Sequence, residues 1–112
     1  MNTPSRPGML AHRVVHSVED SPVGSDAGVD PGSAARIVWY VSGRGVCRPA
    51  IYHLDERAGV WVRGAACESV VDGGVVVQAT YGGRVEVRLV HLKFDGDEED
   101  RPWTIDYRLL PT

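Results

Sequence analysis

Apolar and polar residues alternate along several short stretches of this chain, a pattern typical of half-buried β-strands. In the clearest stretch, Val75 and Val77 lie on one face of an extended chain and Gln78 lies on the other. The glycine pair at 82–83 follows, where a two-residue hairpin loop needs positive φ angles. The pattern therefore predicts a hairpin whose second arm is residues 84–94.

The second arm of this predicted hairpin changes its apolar face partway along. Its first and last apolar residues have opposite parity, and the switch falls between Leu89 and Val90. A strand with such a switch is expected to bend or to carry a β-bulge at that point. Because a bend of this kind suits a strand at the corner of a barrel, we expect a barrel-like form, with a β-sandwich as the alternative.

Residues 36–42 are apolar on both faces, which predicts a central strand. The Gly-Arg-Gly sequence at 43–45 predicts a turn, and residues 46–54 then predict a second strand. Pro49 lies in this second strand and has no N–H to donate. We therefore expect an open edge or a bulge on at least one side of that strand.

Turn-forming residues at 55–59 and 72–74 divide the middle of the chain. The remaining predicted strands are residues 60–64, 66–71 and 103–110. In the last of these, the predicted inward-facing side chains are Trp103, Ile105, Tyr107 and Leu109. Together the segments predict an all-β domain, a small antiparallel meander of six to seven strands.

The N-terminal residues 1–33 have a different composition, rich in Pro, Gly, Ser and Asp. This composition is typical of a flexible arm, and residues 34–112 then form the all-β domain. The arm contains one apolar cluster, at residues 9–18, for which we expect an extra strand at the edge of the domain. A short helix or a partner-binding segment are the alternatives for this cluster.

Length and charge narrow the range of functions. The chain has 112 residues, enough for one domain, and a formal net charge of −3. Five acids lie in residues 95–100, which leaves the rest of the chain at about +2 and without a strongly basic nucleic-acid footprint. There is no apolar run of about 18 residues and no secretory signal pattern. We expect a soluble, cytoplasmic protein that does not associate with membranes.

Few residues carry a recognisable chemical signal. His12 and His16 have the spacing of two metal ligands on a helix, but we interpret them as solvated side chains. His53 and His91 would be the first residues to test for catalysis, although we expect no enzymatic activity. We interpret the acidic residues 95–100 as a solvated loop and predict no metal ion and no cofactor. The two cysteines, Cys47 and Cys67, are expected to be reduced.

Aromatic and arginine side chains are the most suggestive remaining feature, because these residue types are enriched in binding surfaces. The candidate partner-binding residues are Tyr40, Arg44, Arg48, Tyr52, Trp61, Arg63, Arg84, Arg88 and Arg108. Trp39, Trp103 and Tyr107 are expected to point inward instead. A further aromatic residue of interest is Tyr81.

The expected function is that of a small interaction module, an accessory or neutralising protein. It would bind a macromolecular partner, most simply a protein, through an exposed strand edge and the aromatic and arginine surface. A homodimer formed through an edge strand is a further expectation. The alternatives are a small-ligand-binding β-barrel and single-stranded nucleic-acid binding on the arginine and aromatic face.

Overall fold

The computed structural model describes residues 11–24, 27–80, 82–94 and 102–111. These residues form the strands β1 (Arg13–Val15), β2 (Arg36–Asp55), β3 (Val60–Ala66), β4 (Val70–Ala79), β5 (Val85–Phe94) and β6 (Trp103–Leu110). All pairings are antiparallel, and the six strands form one sheet that the described pairings do not close. The predicted all-β antiparallel class is confirmed, whereas the barrel-like form stays a prediction. The described residues include no helix long and apolar enough to span a membrane.

β2 is the centre of the sheet and pairs with four other strands. On one side it pairs first with β4 and then with β3, and on the other side first with β6 and then with β5. Each side of β2 is therefore lined by two strands laid end to end. We call β3 and β4 the first flank, and β5 and β6 the second flank.

The predicted turn at residues 43–45 is wrong, because β2 continues through it for 20 residues. Gly45 has a φ of 116° and its N–H donates to Asp72 Oδ1 at 2.8 Å, which anchors the strand where its register with β4 shifts. A Cβ on Gly43 would lie 2.2 Å from the Trp103 ring. These glycines therefore serve a bend within a strand, and glycine permits both this and a turn.

The predicted hairpin at residues 74–94 is only half right. Its two strands exist, and Gly82 and Gly83 have the expected positive φ angles of 81° and 77°. However, β4 and β5 do not pair with each other in the described structure, since they lie on opposite sides of β2. The hydrophobic pattern identified both strands, but it carries no information about which strand lies beside which.

The link between these two strands shows that β2 is strongly bent. At its start, Thr80 N–H donates to the Ala35 carbonyl at 3.0 Å, and at its end Leu54 N–H donates to the Arg84 carbonyl at 2.9 Å. Four residue steps span at most about 14 Å. The two ends of β2 must therefore lie close together, and the sheet folds back on itself.

Residues 72–74 do not reverse the chain, contrary to the prediction. They lie inside β4, where Asp72 and Gly73 have φ angles of 59° and 118° beside the register shift with β2. The predicted strand at 66–71 is instead interrupted at residues 67–69, where Cys67 N–H donates to the Pro49 carbonyl at 3.1 Å. The predicted turn at 55–59 is confirmed, with Gly59 N–H donating to the Asp55 carbonyl at 2.7 Å.

The bulge expected at Leu89 and Val90 is confirmed. Arg48 lies opposite His91 and Pro49 lies opposite Leu89, so Val90 is the extra residue. The bulge also resolves the position of Pro49, which lies in the central strand and not at an open edge. The ladder is irregular where proline has no N–H to contribute.

The core lies between the two halves of the folded sheet. Its fully buried members include Ile37, Trp39, Val41, Cys47, Val85, Val87, Leu89, Trp103 and Ile105. Trp103 and Ile105 therefore face inward as predicted, whereas Tyr107 is half-buried and Leu109 is exposed.

The described N-terminal residues lie against the second flank. β1 pairs with β6, with Arg13 opposite Ile105, within the range where an extra strand was expected. Further along, Glu19 N–H donates to the Leu89 carbonyl at 2.9 Å, and Val29 forms a β-bridge with Val85. The domain boundary at residue 33 stays a prediction.

Candidate interaction surfaces

β4 presents an open strand edge. Among the described strands it pairs with β2 alone. Val75 and Val77 are 56% and 55% exposed, and residues 74–79 contain no proline and no charged side chain. Natural proteins use prolines and charged side chains to block edge-to-edge pairing. This stretch therefore lacks the usual protection.

The sheet face beside this edge continues the apolar surface. Tyr40 lies opposite Val75, and Val38 lies opposite Val77, so these four side chains share one face. Tyr40 is partly exposed, and Arg108 lies opposite Val38 on the next strand. Of the predicted partner-binding residues, Tyr40 thus lies on the strand next to β4, and Arg108 lies on the same face one strand further away.

Most of the other predicted residues share a second face, on the half of the sheet made by β3, β5 and the end of β2. Tyr52 lies opposite Arg63, and Ala50 lies opposite Arg88. We define the arginine face as Arg48, Tyr52, Trp61, Arg63, Arg84 and Arg88, from this register, from strand alternation and from the contacts described below. The sequence alone could not show which of the predicted residues lie together.

The arginine face is partly covered by the chain itself. Trp61 Nε1–H donates to the Gly24 carbonyl at 2.9 Å, and Arg84 donates to the Gly28 carbonyl at 3.3 Å. Arg88 forms an ion pair with Glu19 at 3.1 Å. We call residues 19–29 the arm segment. Of the remaining members of the face, Tyr52 is buried, whereas Arg48 and Arg63 are exposed.

A polar cluster that the sequence did not predict lies beside the arm segment. The Glu86 carboxylate is only 1% exposed, and both of its oxygens lie 3.1 Å from His12 Nε2. The Arg13 Nε lies 3.5 Å from Glu86 Oε1. A buried carboxylate needs such partners, because its desolvation is otherwise costly.

Glu19 extends this cluster towards Arg88. Arg13 contacts both carboxylate oxygens of Glu19, and Leu89 N–H donates to Glu19 Oε1 at 3.0 Å. The cluster thus alternates cationic and anionic groups along the edge of β5. Charge-assisted hydrogen bonds of this kind are stronger than neutral ones.

His12 was interpreted from the sequence as a solvated side chain, and this interpretation is wrong. Its ring lies 5.8 Å from the Trp39 ring and 5.2 Å from the Tyr107 ring, and the His12 backbone N–H donates to Asp106 Oδ1 at 3.1 Å. These partners are far away in the sequence, so spacing could not reveal them. Glu86 carried the one available signal, as an acid between two valines in a predicted strand.

The other histidines do not gather into a site with His12. His53 lies 3.0 Å from the buried Gln78 side chain, and this contact links the two halves of the sheet. His16 and His91 are exposed. Within the described ranges, no three His, Cys, Asp or Glu residues are grouped so that they could hold a metal ion.

The bend of β2 forms a shallow cleft of about 260 Å³. Its lining residues are Gly45, Val46, Val71, Asp72, Lys93 and Phe94. Arg44 is exposed at the same bend. Tyr81 and the acidic residues 95–100 lie outside the described residues.

Both cysteines are free, as expected. Burial raises the pKa of the Cys47 thiol from 9.0 to about 12, and burial also raises the pKa of Cys67. Neither thiol is therefore prepared for nucleophilic chemistry, which requires the thiolate.

Two surfaces are therefore candidates for binding: the open apolar edge of β4, and the arginine face, which the arm segment partly covers. Comparisons with protein-family models, curated proteins and solved structures found no match to this chain.

Proposed function

We propose that this chain is a small interaction module, an accessory or neutralising protein, that binds a protein partner through the open edge of β4. The observation that carries the proposal is the unprotected stretch of residues 74–79 beside exposed Val75 and Val77. A partner strand added there would gain backbone hydrogen bonds from the edge and side-chain contacts from the valines. A cytoplasmic location belongs to the same proposal.

Tyr40 supports the choice of this edge. It lies opposite Val75 on the neighbouring strand β2, on the same face of the sheet. Tyrosine combines a large apolar contact area with a polar group. Arg108 lies two residues from Asp106, which is opposite Tyr40, so charged groups border the apolar strip. An apolar centre with a polar rim is typical of protein interfaces.

The experiment compares two equivalent valines on the first flank. Val77→Lys places a charge on the open edge of β4, and Val62→Lys places the same charge on β3, where Val62 is 51% exposed. Each change should alter the free energy of unfolding by less than about 0.5 kcal/mol. With the wild-type chain as bait in its native host, we expect a bound partner that Val77→Lys loses and Val62→Lys retains.

A wild-type chain that stays a lone monomer in size-exclusion chromatography and captures nothing would contradict the proposal. So would a partner whose binding is unaffected by Val77→Lys. The ligand-binding and nucleic-acid alternatives stay predictions. Trp39 and Trp103, which would line a ligand cavity, are fully buried in the core cluster.

A further inference from the structure

Backbone groups on the outer edge of β5 form hydrogen bonds with side chains. In a paired strand, the backbone of a neighbouring strand would form these bonds. Leu89 N–H donates to Glu19 Oε1 at 3.0 Å, and Val87 N–H donates to Glu86 Oε1 at 3.1 Å. The Val87 carbonyl accepts from the Arg13 guanidinium. Carboxylates and a guanidinium thus occupy the positions that a paired strand would take.

Among the described residues, the arm segment pairs with the backbone of this edge at two points. Glu19 pairs with Leu89, and ten residues later Val29 pairs with Val85. Four residues of β5 cover the distance that ten residues of the arm segment cover, roughly 13 Å of strand. The chain between Glu19 and Val29 is therefore much longer than the part of the edge that it spans.

The arm segment contacts the arginine face through its backbone. Trp61 and Arg84 donate to the carbonyls of Gly24 and Gly28, so these contacts do not require any particular side chain. At Gly28 a side chain is excluded, since a Cβ would lie 2.7 Å from the Val85 carbonyl oxygen and 2.8 Å from the Trp61 ring. The face thus accepts a chain with glycine at this position.

The charges of the two partners are complementary. Residues 14–35 contain four acids and no lysine or arginine, whereas the arginine face contributes four arginines. Val23 is 84% exposed, whereas Pro22 and Val29 are buried. Release of the arm segment therefore has to break the Glu19 contacts and uncover Val29, which are the two attachment points that the test weakens.

We propose that the outer edge of β5 and the arginine face form a peptide-binding site, and that the arm segment is its built-in competitor. The ligand is an acidic peptide with the chemistry of the arm segment. It places one carboxylate between Arg88 and Leu89 N–H, and two backbone carbonyls before Trp61 and Arg84. This site is separate from the β4 edge and does not depend on it.

The test uses the full chain and a labelled synthetic peptide, VEDSPVGSDAGVD, which has the sequence of residues 18–30. The tethered arm competes at an effective concentration near the millimolar range, so the wild type should bind the peptide weakly. Glu19→Ala removes the carboxylate contacts of the arm, and fluorescence anisotropy should then show binding about tenfold tighter or more. Asp20→Ala, at the exposed neighbouring residue, is the matched control and should bind like the wild type.

A second variant protects the test against a folding defect. Val29→Ala weakens the other attachment point of the arm and should also tighten peptide binding. Arg88→Glu should abolish binding, and a peptide with arginine in place of its glutamate should restore it. Equal binding by the wild type, Glu19→Ala and Val29→Ala overturns the proposal, as does failure of both loosened variants to bind. Val77→Lys should leave peptide binding unchanged, which separates this result from the fate of the β4 proposal.

Discussion

The two flanks of β2 differ in what lies along their outer edges. The second flank is covered: β1 pairs with β6, and the arm segment and Arg13 cover the edge of β5. On the first flank, β4 has no strand beside it among the described residues. The described residues thus cover one edge with charged groups and place no strand beside the other. The difference indicates that this chain can cover a strand edge, and that the edge of β4 is left accessible for another reason.

The largest expected change in the free energy of unfolding tests whether the ionic contacts stabilise the covered edge of β5. Glu86→Gln keeps the shape of the side chain but leaves His12 and Arg13 without a buried carboxylate. We expect the free energy of unfolding to fall by about 3 kcal/mol. Urea unfolding followed by circular dichroism measures this change.

The matched control lies on the open flank. Glu68 is exposed between β3 and β4, and Glu68→Gln should change the free energy of unfolding by less than about 0.5 kcal/mol. Equal effects of the two changes would show that the buried cluster does not hold the covered edge.

An intermediate change in the free energy of unfolding is expected at Cys47, which pairs with a strand of each flank. Cys47 lies opposite Val70 on β4 and Leu92 on β5, and burial raises the pKa of its thiol from 9.0 to about 12. The unfolded chain therefore loses the proton at lower pH than the folded chain. Stability is unaffected below pH 9 and falls between about pH 9 and 12, by about 2 kcal/mol at pH 10.5.

Urea unfolding at several alkaline pH values checks this expectation. Cys47→Ala should remove the part of the decline that belongs to this thiol, whereas Cys67→Ala should retain it. If the wild type and Cys47→Ala lose stability in parallel, the open flank does not keep water from the centre of the sheet.

The smallest of the three effects lies in the open flank itself. Asp72 has a φ of 59° and accepts the Gly45 N–H at 2.8 Å. Asp72→Ala loses this hydrogen bond and places an alanine in the left-handed region, at a cost of about 1.5 kcal/mol.

Asparagine tolerates the left-handed region and can accept the same hydrogen bond. Asp72→Asn should therefore cost less than about 0.5 kcal/mol in thermal or urea unfolding. Identical losses for alanine and asparagine would mean that the bend does not depend on this contact.

The sequence was informative about strands and poorly informative about their neighbours. Alternation located β6, and the parity switch located the bulge at Val90. The glycines at 43–45 and 73–74 led to wrong turn predictions, because the positive φ of Gly45 and Gly73 serves a bend inside a strand as well as a turn. Distinguishing these outcomes requires knowing what lies opposite each glycine, and a local pattern does not contain that information.

The candidate surfaces were predictable only in residue type. Arginine and aromatic side chains were identified, but their division between two faces depends on the fold of β2. The role of His12 depends on Glu86, which is 74 residues away. Such long-range polar contacts follow from strand order, and strand order was the part of the fold that the sequence did not predict.

The pairing of β1 with β6 has a consequence for synthesis on the ribosome. β1 is made first, yet its partner strand is completed only after residue 110. During translation β1 and residues 36–42 of β2 therefore emerge before the strand with which both of them pair. A nascent chain stalled after β5 would leave these residues unpaired on the side of β6 and should bind chaperones that recognise unpaired strands.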